Sequence, residues 1–196
     1  MTNADTLLAA PRALYTPRLR LEYPRTEHAA VVMDSVNASL PALRCIGWGQ
    51  GAFDARRALR MCELDRAAVA AGECLIYFAF ERDGGAFVGN LDLHSFAFEV
   101  PRCEIGYVGD VRRAGRGLMF EAATAVLRLG FALGLRRIEA RCDARNLRAI
   151  HFAERLGMQR EGRLRSHAHD PQGGLCDDVV LALLRDEPPP SARTGR

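Results

Sequence analysis

Arg112, Gly115 and Gly117 stand in the order Arg-x-x-Gly-x-Gly, between a strand-like run and a helical run. Two glycines let a backbone approach a diphosphate closely, and the first turn of a helix offers unpaired N–H groups at the positive end of its dipole. Arg112, Arg113 and Arg116 add charge around the turn. The loop therefore suits a phosphate-bearing ligand. Two phosphate chemistries are disfavoured. A Walker loop ends in Gly-Lys-Ser/Thr, and all 27 basic residues here are arginine. A dinucleotide fingerprint needs a third glycine where Phe120 stands. The lack of lysine also excludes a Schiff-base lysine.

Positioning this loop takes a strand, a turn and a helix in that order. Cys103–Val108 is strand-like, and Gly115–Leu133 carries Leu118, Ala122, Val126, Leu129 and Leu133 at helical spacing before Gly134. Arg18–Tyr23 alternates polar and apolar residues, as do strands. Glu27–Val36 reads as a short helix, and Asp54 as the N-cap of a helix reaching Ala71. Leu75–Phe80 and Ala86–His94 read as strands joined by Asp83-Gly84-Gly85. Arg137–Cys142 is a short strand, and Asn146–Leu156 a helix stopped by Gly157. Met158–Leu164 and Val179–Leu184 complete the strands, with a loop at His167–Cys176. The expected class is α/β: a mixed, mostly antiparallel sheet of about seven strands flanked by four helices. Residues 1–15 read as a loose leader, 16–186 as one folded domain and 187–196, with three prolines in a row, as a disordered tail.

With these elements in place, the Arg112–Gly117 pattern resembles the coenzyme A pyrophosphate loop of the GNAT superfamily of N-acyltransferases. Its surroundings resemble the branch of ribosomal-protein N-terminal acetyltransferases. Thr16-Pro17-Arg18-Leu19-Arg20-Leu21 is similar to that branch's opening strand, and Glu104-Ile105-Gly106-Tyr107 to its fourth. Glu121-Ala122, Leu133–Ile138, Asn146, Leu156-Gly157-Met158, Glu161–Arg165 and Asp177 follow in the family's order. The resemblance runs from Thr16 to Arg185.

It implies acetyl-CoA as cosubstrate, no metal, and direct attack of an amine on the thioester. It implies a gap between the fourth and fifth strands, with the pantetheine arm bonded to backbone around Tyr107–Val111. The residues implied to hold the cosubstrate are Tyr107, Val108, Val111, Arg112, Arg113, Ala114, Gly115, Arg116, Gly117, Leu118 and Asn146. Glu104 is the implied base, acting directly or through water. Its competing role is an ion pair with an arginine or holding the loop. A free carboxylate has a pKa of roughly 4.3, which favours a relay over direct abstraction. Trp48 and His167 are implied on the acceptor side. The chain departs from its relatives at the general acid. Ala149 stands where the branch carries a serine, and Ala153 where other members carry a tyrosine.

The net charge of +3 is mild and its arginines are dispersed, so nucleic acid is not an expected partner. Cys45, Cys62, Cys74, Cys103, Cys142 and Cys176 form no C-x-x-C pair, so no zinc site is suggested and reduced thiols are expected. No signal peptide is read before Ala10 and no apolar run spans a bilayer, so a cytoplasmic protein is expected, without a membrane partner. The expected function is acetyl transfer to a primary amine, with a protein or peptide N-terminus as leading acceptor. A small-molecule amine and a non-catalytic acyl-CoA-binding module are the competing readings. A homodimer is allowed.

Overall fold

Leu75–Glu81 is apolar at almost every position, and in the computed structural model, which describes residues 3–187, this run is a central strand buried on both faces. Alternate side chains serve two cores. Leu75, Tyr77 and Ala79 join one, and Ile76, Phe78 and Phe80 the other. Such double burial suits a strand in the middle of a covered sheet.

The sheet has eight strands: β1 (Ala13–Tyr15), β2 (Leu19–Glu22), β3 (Leu75–Glu81), β4 (Phe87–Ala97), β5 (Arg102–Gly109), β6 (Arg137–Asp143), β7 (Gln159–His169) and β8 (Leu175–Leu184). Their order is β1-β2-β3-β4-β5-β6-β8-β7, and β5–β6 is the parallel pair. The helices are α1 (Asn3–Leu8), α2 (Ala29–Ser39), α3 (Ala55–Ala70), α4 (Leu118–Ala132) and α5 (Leu147–Arg155). One face carries α4 and α5, which contribute Leu118, Val126, Ile150 and Ala153 to the first core. The other carries α2 and α3, which contribute Val32, Val36, Ala58 and Cys62. Asp54 caps α3 as expected, accepting the Arg57 N–H at 2.7 Å.

The expected α/β architecture is present, with corrections. Among the described residues the sheet has eight strands rather than about seven, and there are five α-helices rather than four. Both additions come from the segment read as a loose leader. Leu7 and Ala10 are buried in the first core, β1 pairs with β2, and the Tyr77 hydroxyl donates to Pro11 O at 2.6 Å. The segment is too short to show periodicity, so only its tertiary partners reveal it. Helix α4 begins at Leu118, not Gly115, because Gly115 and Gly117 are left-handed at φ +77° and +73°. The loop expected at His167–Cys176 narrows to a turn around Asp170, whose carboxylate accepts the N–H groups of Gln172 and Gly174. Strand β7 runs on to His169; its residues are mostly exposed, so no polar–apolar alternation marked it. The tail beyond Glu187 lies outside the described residues.

Candidate active site

β5 and β6 pair only at Arg102↔Arg137, Cys103↔Ile138 and Glu104↔Glu139. Beyond that point β5 follows β4 to Gly109, and β6 follows β8 to Asp143. The strands therefore splay, and the β6-facing edge of β5 is left without a strand partner. An unpaired strand edge needs other hydrogen-bond partners. Tyr107 bridges the gap. Its hydroxyl donates to Ala149 O at 3.0 Å, and its ring lies against Phe152 with centroids 4.7 Å apart. Burial pushes its phenol pKa up, so it stays protonated near neutrality. Helix α5 starts beside the gap, and its N-cap Asn146 accepts the Ala149 N–H through Oδ1 at 3.2 Å. The cap uses the amide oxygen and leaves the amide N–H groups for a ligand.

The glycine loop sits at the outer end of the gap. A Cβ at Gly115 would meet nothing within 4 Å, so this turn faces open space. The Glu121 N–H bonds back to Gly117 O at 3.1 Å, which leaves the first-turn N–H groups before it without helical acceptors. The three arginines divide. Arg112 is clamped by buried Asp110, with its Nε 2.9 Å from Oδ1, and by Asp34 at 2.8 Å. Burial alone would raise the Asp110 pKa, but the Arg112 side chain and N–H hold it below the usual carboxylate range. Arg116 forms a two-pronged pair with Glu81 at 2.8 and 2.7 Å. Arg113 also reaches Glu81, at 3.4 Å, and its Nε is buried without a hydrogen-bond partner among the described residues. An open glycine turn beside a guanidinium with an unmet donor fits a phosphate-bearing group. Arg112 and Arg116 are held by Asp110, Asp34 and Glu81 around the loop.

Two cavities occupy the two sides of the gap. One, of about 360 Å³, is lined by Val111, Arg113, Ala114, Gly115, Gly117 and Leu118. The other, of about 450 Å³, is lined by Trp48, Asp92, His94, Arg141, His169 and Asp178. Tyr107, Val108, Asn146 and Ala149 line both and form the passage between them. Arg112 and Arg116 do not line the first cavity. Trp48, 40% exposed, borders the second and meets Phe53 edge-on at 6.3 Å. His167 lies outside the lining, where its Nδ1 is 2.9 Å from Asp178; His169 lines the cavity instead.

Glu104 sits at the closed end of the splay, behind the second cavity and outside its lining. Its carboxylate is 3.7 Å from Arg141 Nε and 3.9 Å from His94 Nε2. Two cavity residues went unnoticed in the sequence, Asp92 and His94. Alternation places both on one face of β4, opposite Gly106 and Glu104. The spacing Asp-x-His on a strand, registered against Glu104, was the signal that could have found them. His94 Nδ1 is 2.6 Å from Asp92 Oδ2. That hydrogen bond raises the histidine's pKa, against burial, which lowers it. Among the described residues no cluster of His, Cys, Asp or Glu could hold a metal ion, and no helix is long and apolar enough to cross a membrane.

A family model described as Acetyltransferase (GNAT) domain matches residues 18–159. An uncharacterised N-acetyltransferase, p20, of Bacillus licheniformis is 33% identical over 101 residues, covering 51% of this chain and 56% of that protein. The chain spans about half the length of the curated relatives it matches, between 46% and 59%. A putative ribosomal-protein-serine acetyltransferase from Vibrio cholerae superposes with a TM-score of 0.79 at 24% identity, over 88% of this chain and 97% of that one. The Microcin C7 self-immunity acetyltransferase MccE, solved with acetyl-CoA and AMP, superposes with a TM-score of 0.79 at 18% identity, over 86% and 93%. At such identities these structures speak for the fold.

Proposed function

The chain belongs to the GNAT acetyltransferase family, and from that premise we propose that it transfers the acetyl group of acetyl-CoA to a primary amine, with a protein or peptide N-terminus as leading acceptor. The observation that carries this reading is the pair of cavities meeting at Tyr107, Val108, Asn146 and Ala149. A diphosphate suits the glycine loop and the Arg113 guanidinium. A pantetheine arm suits the open edge of β5. The thioester would then lie in the passage, and an amine entering past Trp48 could meet it. Holding two reactants in line is worth several kcal/mol of barrier, roughly 7–11 in well-oriented cases.

The acceptor cavity carries Asp92 and Asp178, and its one arginine, Arg141, lies near Glu104. This balance suits a cationic amine. A ribosomal-protein acceptor in the Vibrio cholerae neighbour's name supports the N-terminal reading. The volume of about 450 Å³ also suits a small amine held whole. Glu104 stands behind the wall, does not touch the acceptor, and acts on the site through its neighbours. Ala153 is fully buried, so no tyrosine fits where other members carry one, and the thiolate must leave without that acid. A thiol pKa of about 8.5 makes the thiolate a fair leaving group near neutrality.

A panel of short peptides and small amines, read by thiol release and by product mass, tests the proposal. Peptides acetylated at the α-amino group support the leading acceptor. Acetylation of polyamines or aminoglycosides alone moves the function to small amines. Binding of acetyl-CoA with no turnover on any amine supports the acyl-CoA-binding module.

A further inference from the structure

Gly106 has no side chain, and the space is taken. A Cβ there would lie 2.4 Å from Asp92 Oδ1, so the Asp92 carboxylate reaches across β4 onto β5. Gly106 is the second residue past the last β5–β6 pair, within the splay. Asp92 thus lies beside the passage where the two cavities meet, and its other oxygen, Oδ2, holds His94 Nδ1 at 2.6 Å. A carboxylate only accepts hydrogen bonds, so Nδ1 carries the proton of the neutral imidazole and the lone pair falls on Nε2. His94 lines the acceptor cavity, its side chain is 42% exposed, and its Nε2 is 3.9 Å from Glu104. That separation is too long for a hydrogen bond and leaves Nε2 without a hydrogen-bond partner among the described residues.

We propose that His94 is the base of the acetyl transfer, with Asp92 as its positioning residue and Glu104 as the carboxylate that stabilises its protonated form. The inference rests on the acetyltransferase reading and goes further by naming the group that touches the amine. In the step, the amine nitrogen bonds to the acetyl carbon. The carbon–sulfur bond breaks and its electron pair leaves as the thiolate of coenzyme A. The proton lost by nitrogen goes to His94 Nε2, and from there to water or to the thiolate. The imidazolium is then flanked by Asp92 on its own strand and Glu104 on β5. Arg141 on β6 stands beyond Glu104 and opposes the protonated form. On α3, Asp65 faces Asp92; burial first, and Asp92 second, push its carboxyl up to about 6. A base works best when its pKa lies near the working pH, which an imidazole meets more closely than an ordinary carboxylate.

The test uses the full chain and the fastest amine of the panel, at saturating acetyl-CoA. His94→Gln should lower kcat about a hundredfold with the acetyl-CoA KM unchanged, and should lose the acidic limb of the kcat/KM profile. Free imidazole should restore part of the His94→Ala rate. It should not restore Glu104→Gln, whose loss is expected near tenfold. Asp92→Asn removes the charge that favours imidazolium, so the limb should move to lower pH. A His94→Gln protein within threefold of the wild type and with the same acidic limb overturns the assignment. A second measurement needs no acceptor: titration of the His94 imidazole by NMR. It should lie above 6.5 and fall in Asp92→Asn; a value at or below 6.5, or one that Asp92→Asn leaves unmoved, overturns the assignment even if no amine in the panel is acetylated. Failure of the acceptor reading and failure of the base are therefore read separately.

Discussion

Ala149 lines both cavities, and its carbonyl already holds the Tyr107 hydroxyl at 3.0 Å. The residue is only partly buried. If the thiolate departs without a fixed acid, Ala149→Ser should change kcat by less than about tenfold, or about 1.4 kcal/mol in barrier. Thiol release at saturating acetyl-CoA measures this; a hundredfold gain would mean that the missing hydroxyl limits turnover. Arg112 gives a different expectation. It was readable as a phosphate ligand from its place in the motif, but Asp110, buried behind it, takes up its charge. Arg112→Ala should cost about 1–3 kcal/mol of stability by leaving that carboxylate under-satisfied. Chemical denaturation reads this cost, and an unchanged midpoint would return Arg112 to the ligand. The sequence could not separate the two roles. Aspartate two residues before an arginine is commonplace, and only the turn at Val111–Arg113 folds them together. Asp92 and His94 were hidden for a related reason: their meaning depends on register with β5, a partner known only once the sheet forms.

The elements were more legible than their edges. Helix α3, strand β3 and helix α4 followed from capping, continuous apolar character and period, because each signal is local. The splay was not readable from periodicity, since β5 and β6 both look like ordinary strands; it came only through the family resemblance. Past the last β5–β6 pair, the Tyr107 hydroxyl on β5 bonds instead to Ala149 O on α5. The loop and first turn of α4 act as one binding element. Gly117 is left-handed at φ +73°, a conformation that aspartate tolerates better than most residues. Gly117→Asp should therefore fold, yet place bulk and negative charge beside the phosphates. In the wild type, acetyl-CoA at a hundred times its dissociation constant should stabilise the protein by roughly 2.7 kcal/mol. The variant should lose this thermal shift; a folded Gly117→Asp protein with the full shift would put the cosubstrate elsewhere.

Across the whole molecule, carboxylates clamped by arginine shape the response to acid. Arg145 hydrogen bonds hold Asp143 below its usual range. Burial opposes the same effect at Asp110, Glu121 and Glu139, but arginine and other hydrogen bonds prevail. A carboxylate with a depressed folded pKa contributes stability above its unfolded value, about 3.9–4.3, and loses it as pH falls through the folded one. Asp65, pushed up to about 6, acts oppositely: its contribution fades as pH rises from about 4 toward 6. The raised His94 adds stability below about 6.5 that is lost as pH rises through its folded value. With Glu81, Asp110, Glu121, Glu139, Asp143, Glu161, Asp170 and Asp177 all held low against one raised aspartate, the urea midpoint should drop steeply below about pH 4 and change gently above it. A midpoint that holds to pH 3 would contradict this balance. All of these parts serve one claim, that the splay between β5 and β6 brings acetyl-CoA to an amine. The most direct measurement is thiol release from acetyl-CoA, matched against the mass of each amine in the panel, for the wild type and Gly117→Asp. The wild type should release one thiol for each amine acetylated, and Gly117→Asp should form neither product. Acetylated product formed equally by both proteins, or no acetylated amine from a wild type that binds acetyl-CoA, would contradict it.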